Sequence, residues 1–269
     1  MTTSTAAPPS ATVALKGISK TFRGRRGAEV PVLDDIDFSA GAGEFVSVIG
    51  PSGCGKSTLF KLLAGLEVAD AGTLAVNDKP LDPKDHPVAY MPQKDLLLPW
   101  RSVVRNVVLP LEIAGVGKSE ARARADRLFP LFGLEGFEDA YPFALSGGMR
   151  QRAALMRTVI QERPLMLLDE PFGALDSLTR TDMQEFLLDV WDEFGHTIVF
   201  ITHDIREAIY LSDRIYVMTA RPARVRMEIA VDLPRPRPLE VIATPRFAEL
   251  EAQLLQALRE ENRQQEAAG

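Results

Sequence analysis

Gly50-Pro51-Ser52-Gly53-Cys54-Gly55-Lys56-Ser57-Thr58 constrains this chain more than any other stretch. It fits G-x-x-x-x-G-K-[ST], a loop whose backbone N–H groups and lysine cradle phosphates. Phe45-Val46-Ser47-Val48-Ile49 in front of it is apolar enough for a buried parallel strand. Leu59 to Leu66 behind it reads as a helix that Gly65 begins to close. A helix start aims unpaired N–H groups and a positive dipole end at the loop, which makes an anion site. The glycines let the backbone approach oxygen closely and take positive φ. Lys56 is expected to reach the β- and γ-phosphates of a nucleotide, and the Ser57 hydroxyl to sit on Mg²⁺.

With 269 residues the chain can bury a sizeable core as one or two domains. A net charge of −6 argues against a protein held on nucleic acid by bulk electrostatics. The single cysteine, Cys54, excludes an internal disulfide and fits a reducing compartment. No apolar run reaches the about 18 residues needed to cross a bilayer. Residues 1–11, MTTSTAAPPSA, lack the basic start and apolar core of a secretion signal and read as a disordered lead-in.

Ordered structure is expected from Thr12, with antiparallel strands around Val13, Val30–Leu33 and Ile36–Phe38 laid beside the phosphate-loop strand. Arg23, Arg25 and Arg26 read as a solvated hairpin tip between them. Phe22 is either a core aromatic of this small sheet or a platform for a base. A strand pair turns at Asn77-Asp78, and Val88–Met91 leads to Pro92-Gln93. A glutamine just past a strand end lies on the side where parallel sheets bind ligands, in reach of Mg²⁺ or an attacking water. Residues 94–136 turn helical: valines recur at helical spacing until Pro110, and Ser119 to Phe129 has a capping start. Leu96-Leu97-Leu98-Pro99-Trp100 is either core of this insert or an exposed patch for a partner.

Ser146 is a good N-cap for a helix running to about Gln161, yet Gly147-Gly148 in its first turn costs helix stability. Either a ligand approaches the backbone there or the glycines make a packing contact. Pro164 to Leu168 is a buried strand ending in Asp169-Glu170. Two carboxylates leaving an apolar strand are expensive unless something positive is near. Asp169 is expected to hold Mg²⁺, largely through water, and Glu170 to take a proton from the attacking water. Thr197 to Thr202 is another buried strand, with His203 at its end in reach of a γ-phosphate. Residues 214–219 and 224–233 read as a closing strand pair, Pro234–Pro238 as a stiff spacer, and Phe247, Leu250, Leu254 and Leu258 as the stripe of a terminal helix.

Taken together, GPSGCGKST, MPQK, LSGGMRQR, LLDEP, GALD and ITHD resemble the nucleotide-binding subunits of ABC transporters over nearly the whole chain after residue 11. The resemblance implies an α/β P-loop NTPase (RecA-like) core with a small antiparallel β subdomain and an inserted all-helical subdomain. It places the nucleotide-binding domain at 12–233, the insert at about 94–157, and a Pro-rich spacer and C-terminal helix at 234–269. ATP and Mg²⁺ are the implied cofactors. Phe22 corresponds to the adenine-stacking aromatic, Gly50 to Thr58 to Walker A, Gln93 to the Q-loop, and Ser146, Gly147 and Gly148 to the signature. Asp169 and Glu170 correspond to Walker B and the catalytic base, Asp176 to the D-loop, and His203 to the switch histidine. Met149 stands where glutamine is commonest, and GALD where SALD is frequent.

The implied assembly is a head-to-tail homodimer with two transmembrane permease subunits at the cytoplasmic face of the membrane. An extracellular or periplasmic solute-binding protein takes part indirectly, and nucleic acid does not. MPQKDLLLPWRSVVRNV and the tail RPARVRMEIAVDLPRPRPLEV are similar to the nitrate/sulfonate/taurine branch of importers. An exporter or lipid-trafficking system is the alternative. A P-loop metabolite kinase would leave LSGG and His203 without a reason. A repair ATPase of this type would need a long coiled coil where 52 residues separate Gln93 from Ser146.

Overall fold

Alternation along one strand sets the layers. In β3 (Phe45–Ile49), Val46 and Val48 join one core cluster and Phe45 and Ile49 the other, so the strand is buried on both faces. Its sheet has the order β10-β9-β3-β8-β7-β6, with β6 (Val88–Met91), β7 (Leu165–Asp169), β8 (Thr197–Ile201), β9 (Arg214–Met218) and β10 (Val225–Ala230). All neighbours pair parallel except β10, which closes the edge antiparallel to β9. This computed structural model describes residues 11–24, 27–82 and 87–268. Most of the lead-in, and Arg25 and Arg26 of the expected hairpin tip, lie outside them. Ala11 belongs to the folded part: it is buried, and its N–H donates to Thr197 Oγ1 at 3.1 Å.

The N-terminal strands do not flank β3, contrary to expectation. β1 (Val13–Arg23), β2 (Glu29–Ala40), β4 (Ala71–Val76) and β5 (Lys79–Pro80) form their own antiparallel sheet, ordered β2-β1-β4-β5. Both edges of β3 are already taken, by β8 and β9, so no ladder position is free. The small sheet instead covers one face of the large sheet, with α1 (Lys56–Leu63) sharing its core cluster.

The other face carries the remaining helices. α2 (Val103–Val107) and α3 (Leu109–Ile113) are separate because Pro110 stands in the first turn of α3. α4 (Lys118–Leu131) starts from Gly117 with no side-chain cap, so the capping role expected of Ser119 is absent. α5 (Gly147–Val159), α6 (Ser177–Phe194) and α7 (Ile205–Leu211) follow.

The 234–238 segment is no spacer. Arg235 lies over the Trp191 ring at 4.1 Å, and Arg237 is 5% exposed. Arg237 donates to the carbonyls of Ile209, Tyr210 and Ser212 at 2.6–3.1 Å, at the end of α7. A cation there satisfies orphan carbonyls and opposes the negative dipole end. Burial and the neighbouring Arg235 bring its pKa down to about 10. The chain is thereby pinned before α8 (Pro245–Ala268), which buries Phe247, Leu250 and Leu254. Each buried side chain of this kind stabilises by roughly 1.5–3 kcal/mol. Among the described residues, no helix is long and apolar enough to cross a membrane.

Candidate functional site

The phosphate-type loop stands between β3 and α1 with its glycines needed for space. A Cβ on Gly50 would lie 2.9 Å from the Met218 carbonyl, and one on Gly55 2.9 Å from Leu33 Cδ2. Gly53 and Gly55 both have positive φ. Lys56 is 7% exposed, and its ammonium donates to the carbonyls of Gly50 at 2.8 Å and Pro51 at 3.0 Å. The cation thus lies folded over the loop, where a polyphosphate oxygen could replace the carbonyls. α1 begins at Gly55 with no side-chain cap, so its first N–H groups remain for an anion. Cys54 is buried, which pushes its thiol up despite Lys56.

Parallel register brings the other residues to the same edge. Met91 is level with Leu168, and Asp169 with Ile201, so Gln93, Glu170 and His203 leave neighbouring strands together. Glu170 has φ 45, a costly conformation for a non-glycine residue. The two carboxylates have different hydrogen-bond partners. Glu170 Oε2 accepts from Gln93 Nε2 at 3.1 Å and lies 3.1 Å from His203 Nδ1. Asp169 is 7% exposed, accepts from the Tyr90 hydroxyl at 3.2 Å, and is hydrogen-bonded by Ser57. Burial raises its pKa, Glu170 adds to the rise, and Tyr90, Ser57 and Lys56 oppose it. The hard oxygens of Asp169 and Ser57, which are hydrogen-bonded to each other, suit Mg²⁺. That ion takes few protein ligands and completes its shell with phosphate and water.

Ser146, Gly147 and Gly148 are not part of this edge. The Ser146 hydroxyl caps α5 by accepting from Met149 N at 3.3 Å. The two glycines differ. A Cβ on Gly148 would sit 2.8 Å from Thr179 Cγ2 of α6, whereas on Gly147 it would meet Leu175 at an ordinary 3.5 Å. Packing therefore explains Gly148, and the Gly147 backbone is the more open. Gly148→Ala is expected to destabilise the protein by about 1–3 kcal/mol. Thr179→Ser, which removes the clashing methyl, should recover most of that loss in thermal melts. Asp176 caps α6, accepting from Thr179 N at 3.1 Å; the Thr179 hydroxyl first, and then this backbone bond, lower its pKa. Phe22 is half-buried against the cluster that holds Cys54, with Lys20 Nζ 5.3 Å from its ring centroid.

Two residues at the site escaped sequence reasoning. Tyr90 sits on a strand that reads as plain core, and only its register beside β7 puts the hydroxyl on Asp169. Arg221, from a loop with no phosphate-binding pattern, donates to the Gly53 carbonyl at 2.6 Å. The apolar patch divides: Leu97 is buried, while Leu96 and Trp100 are 56% and 72% exposed. Arg157 of α5 clamps this loop through the carbonyls of Asp95 and Leu96, and Arg150 pairs with Asp95 at 3.3 Å.

A family model described as ABC transporter matches residues 33–173. The chain is 46% identical to the formylaminopyrimidine import ATP-binding protein ThiZ of Halalkalibacterium halodurans, over 75% of this chain and 78% of that protein. It is 42% identical to the taurine import ATP-binding protein TauB of Rhizobium johnstonii, over 87% and 91%. A dimeric bacterial ABC transporter cassette superposes with a TM-score of 0.71 at 30% identity, covering 82% of this chain and all of the other. That cassette is also solved as a post-hydrolysis dimer with ADP and Pi, at a TM-score of 0.70.

Proposed function

This chain belongs to the ABC transporter family as an ATP-binding subunit whose ATPase activity powers transport, and from that premise we propose that it drives an importer. The observation that carries the reading is the level strand edge on which Gln93, Glu170 and His203 meet beside the phosphate loop. The loop N–H groups from Gly50 to Thr58 and Lys56 hold the phosphates, and Phe22 stacks on the adenine. Ser57, Asp169 and Gln93 would hold Mg²⁺, which when bound would supply positive charge to offset that of the phosphates. Glu170 accepts the proton of the attacking water. Gln93 and His203 both bond Oε2, so they orient the carboxylate and leave Oε1 toward that water. Ser146 and Gly147 of a second copy cap the same phosphates, with Gly148 holding α5 close to α6 and Asp176 at the dimer seam.

The solute is a small anion of the sulfonate or nitrate type, and the subunit acts at the cytoplasmic face of the membrane. It works there with two permease subunits and, indirectly, a solute-binding protein. The importer names of its relatives support this direction. ATP-driven uptake of taurine, nitrate and a formylaminopyrimidine into vesicles bearing the native complex tests it. Movement only out of the cytoplasmic compartment would favour the exporter alternative.

The permease is proposed to sit on the exposed part of the 96–100 loop. Leu96 holds φ 46, strained for a leucine, and Arg157 keeps it there. Trp100→Ala is expected to weaken assembly with the membrane subunits at least about tenfold, as for an aromatic anchor. Basal ATPase and the melting temperature of the free subunit should stay near wild type, because the ring is mostly solvated. Unchanged co-purification would remove the loop from the interface.

A further inference from the structure

The phosphate loop has a neighbour that its own sequence does not announce. Between β9 and β10, residues 219–224 form a turn fixed on several sides. Thr219 N donates to the Arg224 carbonyl at 2.9 Å, and Arg224 N to Thr219 Oγ1 at 2.9 Å. Ala223 exchanges bonds with β2, donating to Val32 O and accepting from Asp34 N, both at 2.9 Å. The same β2 segment lies under Gly55, where Val32 and Leu33 forbid a Cβ, so turn and phosphate loop stand on one support. From this braced turn the exposed Arg221 reaches the Gly53 carbonyl at 2.6 Å. On the other side of the turn, Ala220 N donates at 3.3 Å to Glu261 Oε2 of α8. Glu261 is 4% exposed, and its other oxygen pairs with Arg226 of β10.

We propose that Arg221 is a positioning residue for the phosphate loop, and that the C-terminal helix acts on nucleotide affinity through it. A guanidinium on the Gly53 carbonyl fixes the Gly53–Cys54 peptide and polarises its N–H, which donates to the Pro51 carbonyl at 3.3 Å here and would strengthen as a donor to an anion that displaces it. Glu261 sets the turn that carries Arg221, giving α8 a line of bonded contacts to the loop. The inference rests on the loop being the ATP phosphate site, and Lys56→Ala serves as the control for that assignment.

The test measures MgATP affinity of the full-length subunit, with melting of the nucleotide-free protein in parallel. Arg221→Ala is expected to weaken binding about ten- to hundredfold, the range for a hydrogen bond from a charged donor. Melting should not change, since the side chain is exposed. Arg221→Lys should return affinity to within about twofold, because an ammonium can donate to the same carbonyl. Glu261→Ala should weaken binding in the same direction, and the double variant should be no weaker than Arg221→Ala alone. Wild-type affinity in Arg221→Ala, or a loss that tracks lowered melting and is not restored by lysine, overturns the positioning role. Full additivity of the two substitutions overturns the link to α8. If Lys56→Ala abolishes binding while Arg221→Ala does not, this inference alone fails. If Lys56→Ala binds normally, the loop assignment falls and takes the inference with it.

Discussion

Glu170→Gln is expected to slow phosphate release by about 10²–10⁴-fold while ATP stays bound. That range corresponds to roughly 3–5 kcal/mol of barrier. The amide keeps the shape and one hydrogen-bonding oxygen but loses the charge that draws a proton from water. Asp169 is untouched and faces Tyr90 and Ser57 rather than Glu170's partners, so the metal site should survive. ATP should then remain trapped between two copies, giving a dimer on size exclusion in ATP and a monomer in ADP. Asp169→Asn should separate the roles, losing Mg²⁺-dependent nucleotide binding as well as turnover. Near wild-type phosphate release from Glu170→Gln would move the proton elsewhere, with His203 or a phosphate oxygen the first groups to examine.

Ser146→Arg should abolish hydrolysis, a loss of at least about 10²-fold, as when a preorganised donor is removed. Binding of ATP to the isolated subunit should be unaffected. Within one chain, Ser146 and Gly147 contact Met149 and Leu175 rather than the phosphate loop. Ser146 is exposed, so an arginine there does not disturb the core. Mixing makes the test sharper. A Ser146→Arg copy retains its phosphate loop, and a Lys56→Ala copy retains its Ser146. A heterodimer of the two therefore contains one complete composite site, and activity should reappear on mixing two inactive proteins. Silence on mixing, with dimers present, would rule out a site shared between copies.

How much could be read in advance depended on whether a feature is local. The phosphate loop is strand, turn and helix in unbroken sequence, and its glycines, lysine and serine state their geometry through φ, reach and charge. Asp169-Glu170 was legible for a similar reason, since two carboxylates at the end of an apolar strand demand a cation or a reaction. The meeting of Gln93, Glu170 and His203 is of another kind, because 77 and 33 residues separate the pairs that touch. Each looks like an ordinary polar residue after a strand. It is the parallel order β6-β7-β8 and its register that makes three strand ends one edge.

Packing distinguishes residues that composition treats alike. Gly147 and Gly148 are identical in a sequence, yet a Cβ on Gly148 would lie 2.8 Å from the Thr179 methyl, while one on Gly147 would meet Leu175 at an ordinary 3.5 Å. The five apolar residues from Leu96 to Trp100 divide between core and solvent because clamps from α5 hold the loop in one pose. Proline content at 234–238 announced stiffness but not location. The prolines stay exposed while Arg237 is buried, because the last carbonyls of α7 lack donors and Arg237 is in reach to supply them. Chemistry carried on contiguous residues is thus written in their order. Which distant groups share an edge, a support or a cap depends on strand register and on where unsatisfied backbone groups come to lie, and neither exists until the chain is folded.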